Sequence, residues 1–296
     1  MISDTDVLEC MQIAAWGGPF ASELQARAAE ALEDGRVLIL PRLGFATTNE
    51  EARLLTAEVA APGSKNISLD PASGDCRGTS LQGAEATALA RMMDRFAGQA
   101  SRLLGDLVPS YRATLERART SFRPMEVEQR PQSVRQDDRR LHVDAFPTRP
   151  LRGRRILRLF TNIAPDGAAR RWEVGEPFEH FAAQFLPRVH APLPGASWLL
   201  AQLGLTRGRR SAYDHIMLGL HDAAKRDESY QREAPRARLL FAPGTTWIVY
   251  TDAVLHAALA GHFALEQTFH LPVESMANPE RAPIRILERL VGRSLQ

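Results

Sequence analysis

Near the middle of the chain, in Leu141-His142-Val143-Asp144-Ala145-Phe146, an imidazole and a carboxylate stand two residues apart. On an extended strand such side chains leave the same face, so His142 and Asp144 can aim a nitrogen and an oxygen at one point. A second imidazole from elsewhere would complete two His and one carboxylate on one face of an octahedral metal. The opposite face would stay open for a cosubstrate and dioxygen, the ligand arrangement of non-haem iron(II) oxygenases. His256 is the best-placed partner. It follows the apolar run Thr246–Thr251 and precedes Gly261 and another strand candidate. His262, at a turn, and His270, near a strand end before Leu271-Pro272, are its rivals. The chain has eight histidines, so a lone His-x-Asp is a weak signal and a surface salt bridge is the bland alternative. What favours the metal is the order: His-x-Asp at a loop–strand junction, a His after a late strand, then Gly and a terminal strand.

The elements that must carry these residues show in the hydrophobic periodicity. Ile156–Ile163 and Thr246–Thr251 are rich in β-branched and aromatic residues and predict strands, with Phe263–Leu271 weaker and Arg36–Leu40 short and buried. Ser22–Leu32 predicts a helix with Ser22 as N-cap and its end near Gly35. Ala84–Leu107 is a long amphipathic helix, with Leu89, Met92, Phe96, Ala100, Leu103 and Leu107 on one face. Further helices fit Pro177–Leu186, Ser211–Arg226 and Pro283–Leu290, and the polar stretch Arg130–Arg140 reads as a loop leading into the chemistry. This predicts one α+β domain over 1–296. Helices in about 1–120 elaborate a β-core of about 121–275, a distorted barrel or jelly roll, and a helix closes the chain.

Composition narrows the classes. Hydrophobic residues are 44% and charged residues 24%, as in an ordinary globular enzyme, and the net charge is +2. Such a balance, with arginines spread along the chain, excludes a nucleic-acid binder. Lys65 and Lys225 are the only lysines; biased base composition explains most of that. Cys10 and Cys76 form neither a disulfide framework nor a thiolate metal site. The N-terminus lacks a basic region followed by an apolar stretch, and no run of 18 apolar residues occurs, so a cytoplasmic protein without a membrane span is expected.

Several stretches together resemble the Kdo 3-hydroxylases of bacterial lipopolysaccharide biosynthesis. They are Lys65-Asn66-Ile67-Ser68, Thr120-Ser121-Phe122-Arg123-Pro124, Asp137-Asp138 with Leu141–Pro147, Tyr213-Asp214-His215, Leu220-His221-Asp222 with Lys225, and Glu266-Gln267-Thr268-Phe269. The resemblance runs from near residue 35 to the C-terminus. It implies a double-stranded β-helix (jelly-roll or cupin-like) wrapped by helices. It also implies iron(II), 2-oxoglutarate and dioxygen used to hydroxylate position 3 of the outer 3-deoxy-D-manno-oct-2-ulosonic acid (Kdo) of Kdo-lipid A. Such a lipid-linked substrate requires a peripheral visit to the inner face of the cytoplasmic membrane, although no anchor or strongly amphipathic basic helix stands out.

One departure bears on the cosubstrate. Many oxygenases of this superfamily carry an arginine on the last strand for the far carboxylate of 2-oxoglutarate; here Glu266–His270 offers Gln267 instead. Arg158 is the candidate replacement, sharing a strand face with Phe160 and Asn162, against the alternative of an outward arginine paired with Glu173. Asn162 and Gln267 would add hydrogen bonds. His221 and Lys225, four apart on a helix with Asp214 on the same face, are candidates for the Kdo carboxylate, against a merely solvated face. Arg123 and Arg139 are candidates for substrate anions. Tyr213, Trp172 and Trp247 read as core. Two other readings remain: a metal phosphohydrolase using His215, His221-Asp222 and Asp227, and a noncatalytic lipopolysaccharide-binding protein on the same fold.

Overall fold

The computed structural model describes residues 3–128, 132–192 and 195–296; Met1 and Ile2, and residues 130 and 131 of the expected loop, lie outside them. Among the described residues, eleven strands build two sheets. They are β1 (Leu8–Cys10), β2 (Val37–Leu40), β3 (Ile67–Leu69), β4 (Cys76–Arg77), β5 (Glu116–Arg123), β6 (Arg155–Asn162), β7 (Arg170–Val174), β8 (Ala237–Phe241), β9 (Thr246–Tyr250), β10 (His256–Ala260) and β11 (Ala264–Leu271). The larger sheet runs β1-β2-β9-β6-β11-β5-β3-β4 and the smaller β10-β7-β8. All described pairings are antiparallel except β1 with β2.

An aromatic core bridges β6 and β9 of one sheet to β7 and β8 of the other. Trp247 stacks between Phe241 (4.1 Å) and Phe160 (5.2 Å), and Trp172 meets Phe160 and Trp247 edge-on. Rings in these offset and edge geometries gain attraction beyond the area they bury. A larger apolar cluster fills the outer face of the big sheet, where the helix Gly83–Leu107 lays Met92, Phe96 and Leu103, all fully buried, toward β5 and β11. The periodicity anticipated that helix within a residue.

Other expectations shift by a residue or two. Ser22 is the first helical residue rather than the cap, and Gly35 ends the helix with φ 77°, a conformation cheap only for glycine. The helix Ala212–Arg226 is capped by Ser211, whose hydroxyl accepts from Asp214 N while the Asp214 carboxylate accepts from Ser211 N. Residues before 120 contribute four strands and half of a fifth, so they extend the large sheet as well as covering it with helix.

Candidate metal centre

His142 and His256 meet through a two-residue β-bridge. His142 N donates to His256 O (3.1 Å) and His256 N to His142 O (2.9 Å), which places both side chains on one face with ring centroids 4.6 Å apart. His256 opens β10 and lies opposite Val174 of β7, and the Trp172 ring stacks on its imidazole at 5.2 Å. Asp144 is anchored by its own N–H, which donates to Thr251 O at 2.7 Å. One ligand atom from each of His142, Asp144 and His256 falls within 4.8 Å of the other two, and among the described residues this is the one cluster of its kind. The two-apart reading of His-x-Asp therefore describes the geometry, although a bridge and a backbone anchor supply it rather than a continuous strand.

The donor set fits a divalent metal. The Nδ1 of His142 lies 2.7 Å from Arg140 O and that of His256 lies 2.8 Å from Val254 O. With Nδ1 as donor to a carbonyl, each ring presents Nε2 with its lone pair toward the shared point. Burial, followed for His142 by the neighbouring His256 and Lys225, lowers both imidazoles below their ordinary range and keeps them neutral, the form that ligates. Burial alone would raise the Asp144 carboxyl; the Arg158 guanidinium overrides it and holds the group ionised. Arg158 Nη2 stands 2.9 Å from Asp144 Oδ2, yet its angle is not that of a hydrogen bond, so this buried oxygen makes none.

Around the triad, charges alternate in a chain. Lys65 pairs with Asp138 (2.5 Å), Asp138 with Arg123 (3.7 Å), Arg123 with Glu266, Glu266 with Arg158 (3.1 Å) and Arg158 with Asp144. Burial would raise Glu266, and Arg123 and then Arg158 hold it below the carboxylate range. A cavity of about 190 Å³ opens over the triad, with Arg158, Arg170, Phe160 and Trp172 in its walls. It shares Asn66, Arg123 and Arg158 with an outer groove of about 420 Å³, where Arg119, Arg149 and His270 stand.

The remaining expected residues separate. Arg158 and Arg123 face the cavity. Asn162 does not; its amide donates to Ala168 O and Phe241 O, and its carbonyl accepts from Ala164 N. Gln267 is equally committed, to Thr120 Oγ1, Ala118 O and Thr268 O, because neighbours on β11 face opposite ways and Glu266 takes the cavity side. Neither amide lines either cavity. Lys225 is 2% exposed and donates to Arg135 O (3.1 Å), while Lys65 donates to Gln136 O (3.2 Å). The chain's two lysines thus hold one loop beside the metal point, a different task from meeting a substrate carboxylate. His221 rests edge-on against His142 and bonds Asp222, and Arg139 pairs with Asp137. The alternative ligand set of a hydrolase is dispersed: His215 bonds His190 O, and Asp227 caps the helix Glu228–Glu233 and pairs with Arg188. His262 bridges Glu126 and Asp166, away from the triad.

Sequence reasoning missed Arg170. It is 1% exposed on β7, lines the metal cavity and donates to Gly261 O at 3.1 Å. The signal was its period-two spacing with Trp172 and Val174, which places all three on one face. Gly261 makes the fit, since its φ is 106° and a Cβ there would stand 2.9 Å from Arg170 Cα.

A family model described as 3-deoxy-D-manno-oct-2-ulosonic acid (Kdo) hydroxylase matches residues 15–294. No curated protein sequence matches the chain. Among solved structures, the Kdo hydroxylase KdoO, a non-heme Fe(II) alphaketoglutarate dependent dioxygenase, in complex with alphaketoglutarate and Fe(III) superposes with a TM-score of 0.94 at 42% identity; 98% of this chain and 97% of that one are covered. Its cobalt(II) complex gives 0.95 at 43% identity, with 97% of each chain covered. The complex with succinate and Fe(III) gives 0.93 at 43% identity, with the same coverage. The chain belongs to the Kdo hydroxylase family.

Proposed function

We propose that this protein hydroxylates carbon 3 of the outer Kdo of Kdo-lipid A, giving D-glycero-D-talo-oct-2-ulosonic acid, with iron(II), 2-oxoglutarate and dioxygen. The observation that carries this reading is the neutral-His, ionised-Asp triad at the floor of a cavity that continues into an arginine-bearing groove. The two sheets facing across the aromatic core are read as a double-stranded β-helix, as expected for such a triad.

The bound iron and cosubstrate would supply the oxidising chemistry, and the protein supplies place and charge. His142 and His256 offer Nε2, each ring fixed by a backbone carbonyl. Arg158, shared between Asp144 and Glu266, keeps the ligand carboxylate ionised and turned toward the metal point. We assign the far carboxylate of 2-oxoglutarate to Arg170 rather than to the expected Arg158. Arg158 is already engaged by two carboxylates; Arg170 is buried in the wall of the metal cavity with Nη1 on Gly261 O, and a guanidinium fork suits a bidentate carboxylate contact. Phe160 and Trp172 close that wall with apolar surface and exclude water from the reacting centre.

The groove suits an acidic sugar. Burial, then the neighbouring Arg119 and Arg207, depress the Arg149 guanidinium, a sign of cations gathered without enough counter-charge. Of these, Arg119 shares Asp70 (3.3 Å). A carboxylate or phosphate of the substrate at Arg149 and Arg119 would relieve that repulsion, with Arg123 at the shared wall. Turnover with Kdo-lipid A tests the reading: succinate and a product heavier by one oxygen at C3 support it. Iron and 2-oxoglutarate binding without product from that substrate would refute the substrate assignment.

A further inference from the structure

Seven large apolar side chains are well exposed among the described residues, and four of them fall in one eight-residue stretch. These are Trp198, Leu199, Leu203 and Leu205, at 49, 51, 63 and 57% exposure. Single exposed leucines are ordinary, but a cluster marks a surface that meets something apolar. Here the cluster is a shaped tip. Leu199 and Leu203 lie one turn apart at the end of the helix Ala196–Gln202. Gly204, at φ 68°, turns the chain back so that Leu205 N and Thr206 N both donate to Leu200 O. Thr206 Oγ1 then closes the return on Gly208 O at 2.8 Å.

Charge narrows the partner. From His180 to Tyr213 the sequence contains no Asp or Glu, and it contains Arg188, Arg207, Arg209 and Arg210. Arg188 is used within the protein, by Asp227, and Arg210 by the carbonyl of Pro147; Arg207 and Arg209 are exposed. An apolar tip with an aromatic ring, rimmed by arginine and free of carboxylates, complements a layer that is apolar inside and anionic at its surface. A second copy of this chain would bring like charges together and is disfavoured on the same ground.

The tip is tied to the groove. Arg207 N donates to Thr148 O (2.9 Å) and Arg210 Nη2 to Pro147 O (2.5 Å), and Ser197 Oγ donates to Arg210 O (2.9 Å). Phe146, Thr148 and Arg149 form one wall of the outer groove. We propose that the elbow of residues 195–210 is the surface on which this protein docks to an anionic phospholipid bilayer. Trp198 and the leucines enter the headgroup–acyl boundary and Arg207 and Arg209 meet headgroup phosphates, so that the groove mouth faces the membrane. The docking stands on the elbow itself; its service to turnover rests on the lipid-linked substrate proposed above.

The test is co-sedimentation of the full chain with phosphatidylglycerol–phosphatidylethanolamine vesicles and with phosphatidylcholine vesicles. Wild type should bind the anionic vesicles, release with salt, and show a blue-shifted tryptophan emission that Trp198→Phe removes. Leu203→Glu/Leu205→Glu and Arg207→Glu/Arg209→Glu should each weaken binding by about tenfold or more, with iron and 2-oxoglutarate binding intact as the check on folding. On Kdo-lipid A embedded in vesicles both variants should lose about tenfold in rate, and on the deacylated sugar substrate Leu203→Glu/Leu205→Glu should lose nothing. Failure of wild type to bind, or equal binding to neutral vesicles, overturns the proposal. So does a wild-type dimer in solution that Leu203→Glu/Leu205→Glu dissociates, which would make the elbow an interface between copies. Vesicle binding by a protein that leaves Kdo-lipid A unoxidised would sink the substrate assignment and leave the docking standing.

Discussion

In the metal cavity Lys65, Arg123 and Arg158 each face a carboxylate, and Asp138, Glu266 and Asp144 alternate with them up to the metal point. In the elbow, three arginines, Arg207, Arg209 and Arg210, accompany a stretch of chain with no carboxylate. The difference follows from water. A charge buried as deeply as Glu266, 2% exposed, costs several kcal/mol unless it is paired, so the interior must balance its charges and in doing so fixes their geometry. Exposed guanidiniums cost little in solvent and remain available to an outside anion. The cavity is therefore where position is set, and the groove and elbow are where a large acidic ligand can be gathered.

The strongest way to break this comparison is to remove a ligand. His256→Ala should abolish iron binding and reduce turnover by about 10³-fold or more, while His262→Ala, outside the cluster, should leave iron affinity largely unchanged; the reverse pattern would reassign the site. Next comes the charge chain. Glu266→Gln leaves Arg123 and Arg158 without their shared carboxylate and should cost about 3–5 kcal/mol in urea unfolding. Arg123→Met/Glu266→Met should cost much less than the sum of the single changes; additive losses would mean that the pair is not a unit.

How far this arrangement could be read beforehand depended on whether function and pattern agreed. His142, Asp144 and His256 were legible because ligand chemistry demands those types at that spacing. β6 and β9 were legible because their apolar runs are the core. β5, β7 and β10 were not read as strands. Glu116–Arg123 and Arg170–Val174 are laden with charge that folding buries in ion pairs, such as Glu173 with Arg236, and His256–Ala260 is alanine-rich, weak in strand propensity and held by its neighbours. Lys225 suggested a ligand for substrate because it stands four residues from His221 on one helical face; the carbonyl it holds comes from a loop ninety residues away, which no local pattern encodes. The elbow escaped notice because Trp198 and Leu199 look like core in a sequence, and only the fold shows that nothing covers them.

Smaller effects sharpen the division of labour. Arg170→Ala should raise the 2-oxoglutarate requirement by about 10-fold or more with iron affinity little changed, and Arg158→Ala should disturb iron affinity as well, because it orients Asp144. If Arg158→Ala alone moves the cosubstrate requirement, the two assignments exchange. Gly261→Ala should mimic a mild Arg170 defect through the backbone approach it blocks. At the groove, Arg149→Gln should raise KM for the acidic substrate about 5-fold and lessen its salt sensitivity, leaving kcat nearly constant. The smallest effect is in acid. Glu266 titrates below its unfolded value of roughly 4.3, so its stabilisation is full above that pH and is lost as pH falls through the folded value. Glu266→Gln should accordingly flatten the acid limb of the stability curve; an unchanged limb would place the titration elsewhere.

The most direct test of the metal assignment is anaerobic titration of the protein with iron(II) and 2-oxoglutarate, following the weak visible charge-transfer band of the chelate. The account predicts one band at one equivalent of each in wild type and none in His256→Ala or Asp144→Ala. Full iron loading of wild type with no band, or a band that survives loss of His256, would contradict it.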